Sequence, residues 1–294
     1  MVNGRAADLN RVIIVTSLKG GVGKTTITAN LAMTLARLGH SVAAVDCDLE
    51  SRCLDMVLGL ENSSLYNISD VLSGRCTADD ALLQDPRCEN LSFIAAPAGI
   101  IDKDSQEFRN TFTAENIDRL VGELSKSFEY VIFDLPAHPD KWYELLLSHT
   151  DYALIVAMHT AVSIRSAEKT AMTISEEYAK LGNDEPMFDA EGNMCEPRLK
   201  IRLLINGFRM KDVSGGTRSG VYDIITKISV KLLGVVPYDE EMAAAQEAGK
   251  LAYQLRRGET DANVAFENIA ARLEGDAVPL LAGIIKKKKR RKIL

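Results

Sequence analysis

Seven short runs of nearly continuous apolar residues, most of them rich in β-branched side chains, recur along the chain at 12–16, 42–46, 91–95, 130–134, 153–157, 201–205 and 232–236. Because their apolar character is continuous rather than alternating, each predicts a strand covered on both faces, as in a parallel sheet. Between them the period becomes helical. Residues 25–38 carry Ile27, Leu31, Leu35 and Leu38 on one stripe and stop at Gly39, and residues 163–181 place Ile164, Ala167, Ala171, Ile174, Tyr178 and Leu181 at spacings of three and four. Strands alternating with helices predict an α/β fold with a doubly wound, mostly parallel sheet and helices on both faces. Residues 182–198, rich in Asn, Asp, Glu, Gly and Pro, predict a surface excursion. No internal repeat or linker divides the chain, so the pattern predicts one domain over residues 1–275 and a separate tail over 276–294.

Composition adds limits. With 294 residues, 46% hydrophobic and 26% charged, the chain can bury a large core. It has no apolar run of membrane-spanning length and no apolar stretch near Met1, which predicts a cytoplasmic protein. Five cysteines with no C-x-x-C pair argue against a disulfide framework or a cysteine-held metal or cluster.

Charge matters by position. Residues 286–292 hold seven of the 35 basic residues, leaving 28 against 41 acidic ones, so the body carries −13 and the tail +7. Such a block predicts a densely anionic partner: a membrane, a nucleic acid or an acidic protein. Leu280, Leu281, Ile284 and Ile285 fall on one helical face ahead of Lys286, Lys287, Lys288, Lys289, Arg290, Arg291 and Lys292. A short helix lying in a bilayer interface with its apolar side down is the favoured reading, although Pro279 and Gly283 weaken it. Nucleic acid is the disfavoured alternative.

The strongest chemical signal is S-L-K-G-G-V-G-K-T-T at residues 17–26, directly after the first strand and opening the first helix. Such a loop gathers backbone N–H groups and a helix N-terminus around one anionic site. Gly20, Gly21, Val22 and Gly23 let backbone approach a phosphate chain, Lys24 reaches the β and γ phosphates, the Thr25 hydroxyl suits Mg²⁺, and Thr26 completes the motif. The usual phosphate-loop pattern wants Gly at position 18, where Leu18 stands. Two further runs, Val45-Asp-Cys-Asp-Leu49 and Val131-Ile-Phe-Asp-Leu-Pro-Ala137, put carboxylates at carboxyl ends of strands, where open α/β sheets bind ligands.

The variant K-G-G-x-G-K-T-T resembles the MinD/ParA family of deviant Walker A ATPases, and the likeness runs over nearly the whole chain, nearest to the septum-site branch. The resemblance implies a P-loop NTPase that takes ATP and Mg²⁺ and dimerises on ATP. It implies that Lys19 reaches the partner subunit's nucleotide and supplies in trans the charge of an arginine finger; the competing reading is a solvated loop lysine. It further implies that Asp48 positions Mg²⁺-bound and attacking water, that Asp134 acts on the Mg²⁺ shell, that Asn206 meets the adenine edge and that the loop at Pro237 lies against the base. A guanine site would show N-K-x-D, whereas this chain has Asn206-Gly-Phe-Arg209. Lys19, Lys24 and Asp48 are the expected catalytic residues.

By the same resemblance the chain is expected to be a weak, partner-stimulated ATPase, peripheral at the inner face of the cell membrane. It would position a division-site regulator, with a division-inhibitor protein and an ATPase-activating partner. The alternatives are a DNA-partitioning ATPase and one that places flagella or pili. Cys53, His138 and Thr160-Ala161 depart from the family pattern. His40, His138, His149 and His159 lack ligand spacing, so no metal is expected beyond the nucleotide's Mg²⁺.

Overall fold

The computed structural model describes residues 10–61, 63–99, 102, 105–182, 198–255 and 261–283. In chain order the elements are β1 (Arg11–Thr16), α1 (Lys24–Arg37), β2 (Val42–Asp46), α2 (Leu54–Leu58), α3 (Ile68–Leu72), α4 (Ala78–Ala81), β3 (Leu83–Gln84), β4 (Leu91–Ile94), α5 (Gln106–Thr111), α6 (Ala114–Ser127) and β5 (Tyr130–Asp134). There follow α7 (Asp140–Leu146), β6 (Tyr152–Ala157), α8 (Ala161–Lys180), β7 (Lys200–Phe208), α9 (Met210–Ser214), α10 (Val221–Ile228), β8 (Leu232–Pro237), α11 (Glu240–Gln246), a 3-10 turn (Ala252–Gln254) and α12 (Asp261–Leu273).

All seven predicted strands form, and they join β3 in one sheet of order β3-β4-β2-β5-β1-β6-β7-β8. Every neighbouring pair is parallel except β3 with β4. The sheet is covered on both sides because side chains alternate along each strand. Val12 and Ile14 of β1 join Phe133 of β5 in a core under α6, α7 and α8, while Ile13 and Val15 face α1 and α12. The second face is tight: a Cβ on Gly234 of β8 would lie 2.3 Å from Ile269 of α12. β3 escaped the sequence reading because two residues, neither buried, carry no periodicity.

The chain leaves β1, passes over β5 to form β2, and later returns to the other side of β1 as β6. Neighbouring connections therefore diverge at the carboxyl end of β1, which opens a crevice there. The predicted excursion at 182–198 falls, apart from its two end residues, outside the described residues. Among the described residues no helix is long and apolar enough to cross a membrane.

Candidate functional site

The loop of residues 17–23 lines that crevice. Gly21 (φ 71°) and Gly23 (φ 90°) take left-handed backbone, which costs an L residue roughly 1–2 kcal/mol. Gly23 opens α1 without any side-chain cap, so the helix presents free N–H groups. Over Gly20 and Gly21 a Cβ would meet nothing within 4 Å, so an anion can approach the backbone there. Gly23 is different. Asn206, within β7, donates from Nδ2 to the Val22 carbonyl (2.9 Å), and a Cβ on Gly23 would lie 2.2 Å from that nitrogen. The other side of the loop is tied by the Leu18 N–H donating to Thr170 Oγ1 of α8 (3.1 Å).

Beneath the loop lies a buried charge cluster. Lys24 is 9% exposed, and burial pulls its pKa down while Asp134 and Asp48 oppose that shift. Asp134, at the end of β5, accepts hydrogen bonds from Thr28 Oγ1 (2.9 Å) and from the Thr25 hydroxyl. Asp46, at the end of β2, stands in register with it and accepts from the N–H groups of Asp48 and Leu54 (3.0 Å each). Burial, with mutual repulsion added, pushes Asp46 up to about 8, and burial raises Asp134 to about 6. Carboxyl groups held in that state gain from a cation.

Among the described residues, no three His, Cys, Asp or Glu side chains converge as a metal cage. The donor set is instead one or two carboxylates and a hydroxyl beside a phosphate-binding loop. It fits Mg²⁺, which keeps waters and takes phosphate oxygens rather than an all-protein cage.

The structure brings Lys24, Thr25, Asp48 and Asp134 together and leaves Lys19 apart. Lys19 is half-buried, and its Nζ lies 3.4 Å from the Gly20 carbonyl. Asp48 Oδ1 accepts from the N–H groups of Glu50 (3.3 Å) and Ser51 (3.0 Å), which holds the following turn closed. Arg52, in that turn, has φ 41° and bonds Asp55 (2.8 Å).

Asn206 and Pro237 line a cavity of about 200 Å³ with Met158, Tyr238 and Met242. Gln246 bonds Thr26 across it. Arg209 stacks over Tyr238 at 3.5 Å from the ring centre, stiffening the outer wall.

The CobQ/CobB/MinD/ParA nucleotide binding domain matches residues 13–252. The septum site-determining protein MinD of Bacillus subtilis (strain 168) is 34% identical over 272 residues, spanning 92% of each chain. The chain belongs to the MinD/ParA family. Among solved structures, the MinC:MinD cell division protein complex of Aquifex aeolicus superposes with a TM-score of 0.73 at 29% identity, covering 94% of this chain and 99% of that one. Pyrococcus horikoshii OT3 MinD, solved with Mg-ADP, shares the fold with a TM-score of 0.70 at 23% identity, covering 95% of this chain and 100% of that one.

The structure places the three positions where the sequence departs from the MinD/ParA pattern. Thr160 caps α8 by accepting from the Ser163 N–H (3.3 Å). The Cys53 thiol is half-buried, and burial beside Asp46 and Asp48 raises its pKa. His138 is exposed, on the rim of an aromatic cavity of about 600 Å³ that also reaches Asp48.

Sequence reasoning missed Asp46, Thr28, Thr170 and Gln246. Asp46 had a signal, since it is the first acid of D-x-D and ends a continuous apolar strand. Thr28 lies one turn along α1 from Lys24, and what the sequence hid is its partner Asp134; Thr170 and Gln246 come from distant helices that only the fold brings to the motif.

The tail differs from expectation. Residues 280–283 are turns, Leu281 has φ 60°, and its side chain packs against both cores, so no helix runs through Leu280 and Leu281. The cause is local: Arg272 and Asn268 of α12 bond the carbonyls of Val278, Pro279 and Ala282 and hold this stretch on the domain. Ile284, Ile285 and residues 286–292 lie outside the described residues.

Proposed function

We propose that this chain is an ATP-hydrolysing switch that dimerises on ATP, binds the membrane reversibly through its basic-apolar end and positions a cell-division regulator at the septum site. The observation that carries this reading is the contrast between the two loop lysines: Lys24 sits in the buried carboxylate cluster, while Lys19 engages no acid of its own subunit among the described contacts.

In this reading the residue 20–26 backbone and Lys24 bind the triphosphate. Thr25 and Asp134 would hold Mg²⁺, which would supply positive charge to the phosphates during transfer. Asp48, its turn already closed, orients the attacking water. Lys19 completes the partner subunit's site, where added positive charge meets the charge that develops in phosphoryl transfer. Asn206 spends its Nδ2 on Val22, which leaves Oδ1 to accept from an exocyclic amine, as on adenine, against the wall at Pro237.

The division role rests on the kinship with MinD proteins. Likeness to the MinD of the Aquifex MinC:MinD complex supports a MinC-like inhibitor as partner, and the same reading includes low intrinsic turnover raised by a separate ATPase-activating partner. We assign residues 1–275 to the ATPase and the basic run to the membrane, with residues 276–283 serving as its root on the domain. One copy of the run binds anionic lipid weakly, and two copies in an ATP dimer bind more tightly because the second insertion is intramolecular. Sedimentation with anionic liposomes, run beside DNA retention and each with and without ATP, tests the reading. ATP-dependent recovery with liposomes is expected; ATP-dependent retention on DNA alone would replace it with a partitioning role.

A further inference from the structure

After α12 the chain doubles back along that helix. Arg272 donates from Nε to the Val278 carbonyl (3.0 Å) and from Nη2 to that of Pro279 (2.7 Å), and Asn268 donates to the Ala282 carbonyl (2.7 Å). Gly283 then lies so close to α12 that a Cβ there would be 3.0 Å from Val264 Cγ1. The contacted positions step back 272, 268, 264, one helical turn at a time, so the chain runs antiparallel to α12 toward its N-terminus. Roughly one turn further on is Asp261.

Asp261 stands on a groove of about 700 Å³ that Leu281 already lines. The groove has apolar surface from Phe208, Val235 and Pro237, and its acids are Asp239, Glu240, Glu241 and Asp261. Its basic lining residues are Arg209 and Lys211, so acids exceed bases by two. The eleven residues beyond Gly283 carry two isoleucines and then seven basic side chains. At roughly 3.3 Å per extended residue they can extend up to about 36 Å.

We propose that residues 284–294 continue this path and seat in the groove, with Ile284 and Ile285 on its apolar surface and Lys286–Lys289 against its carboxylates. The occupant follows from the direction of the chain, the distance left to cover and the opposite charges. The seat does not depend on the membrane reading; if both hold, the groove and an anionic surface compete for the same side chains.

Carbodiimide coupling of the full-length protein at low ionic strength, with peptide mass mapping of the monomer, tests the seat on the native sequence. Lys286–Lys289 should be joined to Glu240, Glu241 or Asp261. Trypsin cleavage within 286–292, read by intact mass, should run at least fivefold faster in Glu240→Lys/Glu241→Lys than in the wild type, at matched melting temperature. Coupling of these lysines elsewhere, coupling found only in covalent dimers, or equal cleavage rates would overturn the proposal. If the double variant melts early, the coupling map of the wild type decides alone.

Discussion

Asp46 and Asp134 stand opposite one another at the carboxyl ends of adjacent strands β2 and β5, both with about 1% exposure or less, and the ammonium of Lys24 lies near Asp134. Two carboxylates in one buried site cannot both ionise cheaply, so the fold holds protons that the unfolded chain gives up.

That sets a pH dependence for the nucleotide-free protein. Folded pKa values raised to about 8 and about 6 exceed the unfolded value near 4, so folding takes up protons across this range. The contribution to stability is fully present below pH ~4 and is lost as pH rises toward 8, by at most about 1.4 kcal/mol per pH unit for each proton bound. Urea titrations from pH 5 to 8 should show that fall, and Asp46→Asn should make it shallower. An unchanged slope in Asp46→Asn would place the protons elsewhere.

The two lysines should separate binding from dimerisation. Lys24→Ala should lose nucleotide binding, because the buried point charge at the loop is gone. Lys19→Ala should bind nucleotide within about threefold of wild type yet lose ATP-dependent dimerisation and turnover. Sedimentation velocity with ATP distinguishes them, and a Lys19→Ala protein that dimerises normally would remove the trans role.

Asp48→Ala should lower kcat at least tenfold while nucleotide affinity changes far less, since in the proposed mechanism the carboxylate acts on water rather than on the triphosphate. Single-turnover hydrolysis beside equilibrium binding of a labelled nucleotide checks this. Wild-type turnover would take Asp48 out of the mechanism.

Gly23 should tolerate no side chain for two separable reasons, a positive φ and the Asn206 amide. Gly23→Ala should weaken nucleotide binding at least tenfold and lower stability by about 1–3 kcal/mol. Adding Asn206→Ala should recover part of the stability, because the clash goes and the backbone strain stays. Because Asn206→Ala also removes the bond to the Val22 carbonyl, the comparison is made as a cycle: Gly23→Ala costing as much in the Asn206→Ala background as in the wild type would show that φ accounts for the whole cost.

For the tail, Ile284→Glu/Ile285→Glu should lower liposome binding by removing apolar burial worth about 1.5–3 kcal/mol per side chain. Replacing Lys286–Lys289 with Gln should weaken binding chiefly on anionic lipid, with high salt making the wild type behave alike. ATP hydrolysis in solution should survive both changes. Undiminished liposome binding by the double-Glu protein would leave the basic run as a charged tether.

Much of this was legible without coordinates, and for a physical reason. Strands buried on both faces must be continuously apolar, so seven of them stood out and their parallel arrangement followed. A loop that wraps phosphate with its backbone must be short and rich in glycine, so residues 17–26 announced themselves and carried the family resemblance. What the sequence could not reveal depends on groups far apart in the chain meeting in space. The brace of Asn206 on Val22 spans 184 positions and the Gln246 contact with Thr26 spans 220. Neither has a local signature, because an amide's partner is set by the sheet order rather than by its neighbours in sequence. The tail shows the same division. Its charge and apolar pair were plain in the sequence, and a helix through Leu280 and Leu281 looked reasonable from periodicity. Tertiary structure decided otherwise, since Arg272 and Asn268 offer the backbone carbonyls of that stretch hydrogen bonds that compete with helix formation.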